Sequence, residues 1–135
     1  MNLFYIHKKL DRLVDNVNVV IKKYDLSHFR TQFLAGERCD VATLDWYEEK
    51  VGITPIDHWW QTESGWPMLS LMRGVEDDGV KRASAGKPIP GYDIKIFDEE
   101  GYELEAHHEG YLVIKLPLPP GALMGIWGDY ERFHY

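Results

Sequence analysis

Apolar side chains fall at Leu3, Ile6, Leu10, Leu13, Val14, Val17, Val20, Ile21 and Tyr24, with lysines and aspartates largely between them. Spacings of three and four place that set on one side of a helix, so the pattern predicts an amphipathic helix over residues 3 to 24. Asp25-Leu26-Ser27 reads as a turn. The texture then changes, because Thr31 to Ala35 is β-prone and ends at Gly36. Asp40 is placed to cap a helix through Leu44, Tyr47 and Val51, with Gly52 as its stop. Ile53 to Asp57 resumes as a short strand.

Strand, helix and strand in that order imply a right-handed crossover between parallel strands. Gly36-Glu37 and the loop starting at Asp57 then leave the carboxyl ends of their strands at one sheet edge, where open α/β sheets bind ligands. Beyond Pro67 the chain differs. Residues 70 to 91 are loop-rich, with an acidic patch at Glu76-Asp77-Asp78 and turn signals at Lys87-Pro88 and Pro90-Gly91. Ile94, Ile96 and Phe97 form a strand, and Asp98-Glu99-Glu100-Gly101 a hairpin turn into a return strand through Tyr102 and Leu104. Tyr111 to Leu116 is a third strand, stopped at Pro117. Trp127 to Phe133 reads as a turn opening another element.

The expected fold class is therefore α/β: a βαβ parallel-sheet segment followed by part of an antiparallel β subdomain. Residues 1–69 are expected to end an α/β nucleotide-binding subdomain. Residues 70–135 are expected to form a linker and a partial β-barrel-like subdomain. Open sheet edges around a lone βαβ unit, and an element opening at Trp127, read as a piece of something larger.

Composition narrows the partners. The 135 residues are 44% hydrophobic and 27% charged, which is globular. A net charge of −7 argues against nucleic acid or an anionic membrane as the main partner. Cys39 is the single cysteine, so no internal disulfide can form and a reducing compartment is expected. No apolar run approaches the roughly 20 residues of a membrane helix, and the N-terminus lacks a secretory pattern. The expected location is cytoplasmic.

The chemistry concentrates in Asp57-His58-Trp59-Trp60-Gln61-Thr62-Glu63-Ser64-Gly65-Trp66-Pro67, which holds three of the five tryptophans beside an amide, hydroxyls and carboxylates. Thr62 suits a phosphate and Glu63 a hard cation; equally, Thr62 can cap a turn and Glu63 be solvated. Consecutive strand residues point oppositely, so at most one of Trp59 and Trp60 faces the crevice, and core packing is the expected role for one of the two. Gly36-Glu37 allows close backbone approach to a flat ligand. Asp57 can accept from an exocyclic amine or from a backbone amide. His58 is more often packed or solvated than catalytic, His107-His108 read as surface, and Cys39 lacks an activating partner.

This run resembles the D-x-W-W-Q-T-E-[TS]-G signature of the acetyl-CoA and propionyl-CoA synthetases, in the adenylate-forming ligase superfamily. Tyr24-Asp25-Leu26-Ser27 with Phe33-Leu34-Ala35-Gly36-Glu37-Arg38 resembles the preceding strand and adenine turn. Gly86-Lys87-Pro88-Ile89-Pro90-Gly91-Tyr92 resembles the entry to the β subdomain. Lys115 to Gly121 and Asp129 to Phe133 continue the likeness, nearest the propionyl-CoA synthetase branch. It covers residues 20 to 133 in order.

The resemblance implies an AMP-forming reaction. A short carboxylate and ATP give an acyl-adenylate and pyrophosphate, and coenzyme A then takes the acyl group. It assigns Gly36, Glu37 and Arg38 to adenine, and Asp57, His58, Trp59, Trp60, Gln61 and Thr62 to the nucleotide strand and loop. Thr62 lies at the α-phosphate, Glu63 helps hold Mg²⁺, and Thr62 and Glu63 form the catalytic pair. Trp60 closes the acyl pocket, implying acetate or propionate. The family's Ser/Thr/Gly-rich phosphate loop, ribose-binding aspartate and adenylation lysine have no match here. An internal fragment is expected, inactive alone, with the remaining parts of a split synthetase as possible partners. Two other readings are a non-catalytic nucleotide-binding or interaction remnant, and a tryptophan platform for sugars or peptides.

Overall fold

A computed structural model describes the backbone of residues 3–6 and all of residues 21–75 and 81–133. The fold is α/β, with a mixed sheet and a separate antiparallel pair. The chain divides into two compact units: one comprises Met1–Trp59 and Leu69–Lys87, the other Trp60–Met68 and Pro88–Tyr135.

In the first unit, β1 (Leu3–Ile6) pairs in parallel with β2 (Gln32–Ala35), from Leu3 opposite Gln32 to Ile6 opposite Ala35. This corrects the helix predicted from residue 3. The run Leu-Phe-Tyr-Ile is rich in strand formers, and a four-residue ladder along β2 outweighs a helical period whose first members also fit a strand. Residues 7–20 of that predicted helix lie outside the described residues. Ile21 is helical, and its carbonyl accepts the Tyr24 N–H at 3.3 Å.

Helix α1 (Val41–Val51) follows β2. It begins where its sequence says it should: Asp40 is extended (φ −75°, ψ 164°) and its carboxylate accepts the Thr43 N–H at 2.8 Å. It ends at Gly52, whose N–H reaches the Glu48 carbonyl at 2.9 Å. Leu44 is its buried residue and joins Leu34 and Cys39 in the apolar core.

Strand β3 (Ile56–Trp59) then pairs in parallel with β2, Phe33 opposite Ile56 and Leu34 opposite Asp57. The strand starts later than the predicted Ile53. Pro55 is fully buried and has no N–H to give to a ladder, so pairing begins beyond it. Ile56, Asp57 and His58 are all buried, the pattern of a strand covered on both faces. An antiparallel neighbour, β4 (Leu69–Ser70), sets His58 opposite Ser70. β5 (Lys87–Pro88) completes the sheet order β1-β2-β3-β4-β5.

Two loop arginines close on this unit. Arg82 pairs with Asp45 and, at 3.1 Å, with Glu48 on α1, while Arg73 donates to the Thr54 carbonyl at 2.8 Å.

The second unit contains the antiparallel pair β6 (Asp93–Phe97) and β7 (Tyr111–Lys115), in register from Asp93 opposite Lys115 to Phe97 opposite Tyr111. The predicted turn forms at Asp98, whose carboxylate accepts the Tyr102 N–H at 2.7 Å. The predicted return strand through Tyr102 and Leu104 is reduced to one bridge, Phe97 to Glu103, plus the Leu104 N–H on the Ile96 carbonyl. The element opening after Trp127 is a short helix, α2 (Tyr130–Phe133).

Candidate functional site

In the first unit, parallel pairing of β2 with β3 brings the segment after Ala35 beside β3. Gly36 adopts φ 99°, a left-handed conformation that favours glycine, and a Cβ built there would meet nothing within 4 Å. The backbone at this position is thus open to a flat group. Glu37 and Arg38 are exposed. The next residues are held firmly: the Cys39 N–H donates to Asp57 Oδ2 at 3.2 Å, and Asp40 caps α1. Arg38 Nε donates to the Ala83 carbonyl at 3.2 Å.

Of the two partners the sequence left open for Asp57, its buried carboxylate takes the backbone amide. His58 is buried too, with its ring edge-on to Phe33 at 5.7 Å between centroids. Trp59 is half-buried at the end of β3. Cys39 is fully buried, and burial followed by the charges of Asp57 and Asp40 pushes its thiol up to about 12. At neutral pH it is a packed apolar group rather than a nucleophile.

In the second unit the polar part of the motif forms a single 3₁₀ turn, Thr62–Ser64. Gln61 enters it extended (φ −129°, ψ 161°) and Gly65 leaves it left-handed (φ 64°), giving its N–H to the Thr62 carbonyl at 3.2 Å. A Cβ at Gly65 would come within 3.1 Å of the Gly121 carbonyl, so both conformation and space call for glycine.

Ser64 is the buried residue of this turn. Its hydroxyl accepts the Gln61 N–H at 3.0 Å and lies 2.7 Å from the Gln61 carbonyl and 2.8 Å from the Trp66 carbonyl. The buried Tyr92 phenol donates to the Ser64 carbonyl at 3.2 Å. By contrast Trp60, Gln61, Thr62 and Glu63 are exposed. Among the described residues, neither the Thr62 hydroxyl nor the Glu63 carboxylate has a side-chain partner. A hydrogen-bonded turn thus presents two polar groups to solvent.

Sequence reasoning singled out neither Tyr92 nor Ser64 as a supporting residue. The motif itself signalled Ser64, a hydroxyl beside a glycine. Nothing local signalled Tyr92, which lies 28 residues from its partner. Among the described residues no group of three or more His, Cys, Asp or Glu could hold a metal unaided. No described helix is long and apolar enough to cross a membrane.

The profile of the AMP-binding enzyme family matches residues 6–127. The chain belongs to the AMP-binding enzymes. Among curated relatives, this chain is 44% identical over 115 residues to the mitochondrial acyl-CoA synthetase short-chain family member 3 of Homo sapiens, covering 84% of this chain and 17% of that protein. It is 42% identical over 114 residues to the propionate–CoA ligase of Salmonella typhimurium, covering 84% and 18%. A solved acyl-CoA synthetase from Brucella canis superposes with a TM-score of 0.72 at 27% identity, covering 83% of this chain and 20% of that one. An anthranilate CoA ligase solved with anthranoyl-AMP shares the fold, with a TM-score of 0.71 at 21% identity over 97% of this chain and 24% of that one. The chain thus spans less than a fifth of the length of these two curated relatives.

Proposed function

We propose that this chain carries the adenine turn and the phosphate- and metal-binding turn of an AMP-forming short-chain acyl-CoA synthetase. The observation that carries this reading is the contrast along the motif. Asp57 and Ser64 are buried and hydrogen-bonded, while Thr62 and Glu63 are exposed and uncommitted. Buried, bonded neighbours thus hold a turn on which a hydroxyl and a carboxylate are accessible to a ligand.

In this reading the open backbone at Gly36, with Glu37 and Arg38, borders adenine. Asp57 fixes that turn through Cys39, and His58 and Trp59 make the supporting strand. Gln61 and Thr62 approach the phosphates, with the Thr62 hydroxyl donating to the α-phosphate. Mg²⁺ fits the donor set: it takes one or two carboxylates plus substrate phosphates and keeps several waters, and Glu63 offers one free carboxylate. When bound, Mg²⁺ would offset the charge that develops as the carboxylate attacks phosphorus. Trp60 is 45% exposed and would limit the acyl pocket to acetate or propionate, since an indole fills the space a longer tail needs. Coenzyme A would be the acyl acceptor.

Calorimetry with AMP and with Mg·ATP tests the reading. Saturable binding is expected, weakened by Thr62→Ala for both ligands. Glu63→Ala is expected to remove the Mg²⁺ dependence of ATP binding while leaving AMP binding nearly intact. Failure of either nucleotide to bind, or binding indifferent to both substitutions, would refute it. Propionate-dependent exchange of pyrophosphate into ATP by this chain alone is expected to be absent, because the adenylation lysine and phosphate loop of the family have no match in it.

A further inference from the structure

The exposed pair Thr62 and Glu63 is only as well aimed as the turn beneath it, and that turn has two supports. One is internal: the Ser64 hydroxyl bridges Gln61 N–H and the carbonyls of Gln61 and Trp66, closing the turn on itself. The other comes from a distant segment. Tyr92 is buried, and its phenol reaches the Ser64 carbonyl at 3.2 Å. The segment bearing Tyr92 is itself tied down: the Ile89 N–H donates to the Met68 carbonyl at 3.0 Å, and the Tyr92 N–H to the Ile89 carbonyl at 3.1 Å. Met68 is fully buried just beyond the turn. The turn is therefore gripped at its carboxyl end by a side chain and a backbone bond from one strap, residues 89 to 92.

A hydrogen bond to Ser64 acts on the peptide unit that joins it to Gly65. Gly65 is left-handed and its N–H closes the turn on the Thr62 carbonyl. Releasing that peptide would let it rotate, and Thr62 with it. The ring of Tyr92 supplies packing, whereas its hydroxyl supplies orientation, and the two roles separate by one atom.

We propose that Tyr92 is a positioning residue for phosphate recognition: its phenol, with the Ser64 hydroxyl, fixes the turn that aims Thr62 and Glu63 at the phosphates and Mg²⁺ of the nucleotide. This rests on the nucleotide reading given above. It assigns no contact between Tyr92 and the nucleotide. It makes phosphate affinity depend on a buried hydroxyl that bonds the turn and not the nucleotide.

The test is Tyr92→Phe in the full chain, which keeps the ring and deletes the O–H. Two measurements are made: amide hydrogen exchange of the apo protein, and calorimetry with adenosine, AMP and Mg·ATP. Exchange at Ser64 and Gly65 is expected to quicken while the β6–β7 amides stay unchanged. Affinity for AMP and Mg·ATP is expected to fall about two- to tenfold, the range for losing one hydrogen bond, with adenosine affinity unchanged. Unaltered exchange at the turn overturns the proposal whatever the nucleotides do. Equal losses for adenosine and Mg·ATP also overturn it, since they mark a general structural effect. Wild-type protein that binds Mg·ATP no better than adenosine refutes the nucleotide reading, and the phosphate role of Tyr92 falls with it, while the exchange data still judge the grip itself.

Discussion

Replacing Asp57 isolates the bond that fixes the turn after Ala35. Its carboxylate is buried at 6% exposure and accepts the Cys39 N–H at 3.2 Å, and Cys39 is itself fully buried. Asp57→Ala leaves that amide without its acceptor in a place water does not reach, at a cost of about 1–3 kcal/mol. Asp57→Asn keeps an acceptor oxygen and exchanges a charged bond for a neutral one, so the loss should be nearer ~1 kcal/mol. The exposed ion-pair partner Arg82 is the comparison, since removing it breaks only solvated contacts. Urea unfolding followed by helical ellipticity reports the first unit, because α1 is the longest described helix and lies there. The expected order of destabilisation is Asp57→Ala, then Asp57→Asn, then Arg82→Ala. If Asp57→Ala unfolds at the same urea concentration as Arg82→Ala, the carboxylate does not hold the turn and the reasoning is wrong.

Other perturbations follow from the same structure. Asp40→Ala removes the side-chain cap of α1 and should cost about 0.5–2 kcal/mol, with Asp40→Asn nearly neutral, measured by the same denaturation. Arg82→Ala should matter only at low ionic strength and merge with the parent in high salt, as exposed pairs do. Cys39 should resist alkylation in the native protein at neutral pH and react on unfolding. Burial also pushes Tyr47 up to about 12 from its ordinary 10.0, and Cys39 to about 12 from 9.0. Between those values the unfolded chain has released protons that the folded chain retains, so these groups' stabilisation is complete below pH 9 and is lost as pH rises toward 12. Denaturation midpoints that hold steady over that alkaline range would contradict the burial of these two groups.

What the chain reveals by itself depends on how far apart the interacting residues are. Helix α1 was readable to its caps because each cap is local: Asp40 acts on Thr43, and Gly52 on Glu48. Strands β6 and β7 and the Asp98–Gly101 turn were each readable, but not their pairing: the turn pointed to a return strand through Tyr102 and Leu104, and β7 takes the place beside β6. The N-terminal pattern misled because Leu3 and Ile6 suit a helix face and a strand alike, and only pairing with β2, almost 30 residues on, decides between them. Within the motif, residue types suggested the chemistry of Thr62 and Glu63, but not how the turn is held. The Asp57–Cys39 bond spans 18 residues and the Tyr92–Ser64 bond 28, and no periodicity encodes either. Family membership, by contrast, is written along nearly the whole chain, over residues 6–127.

The chain passes between its two units three times, at Trp59–Trp60, Met68–Leu69 and Lys87–Pro88. Because the units interleave, a single cut anywhere in the described chain divides at least one of them. Genetic shuffling therefore has no clean breakpoint here. A breakpoint after Trp59 would strand Leu69–Lys87 from the rest of its unit, and one after Lys87 would part Trp60–Met68 from the strap bearing Tyr92. Swapping in a related motif, whether by recombination or by an engineer, has to transfer the intervening strands as well. The Thr62 turn and the sheet it departs from are heritable as one block.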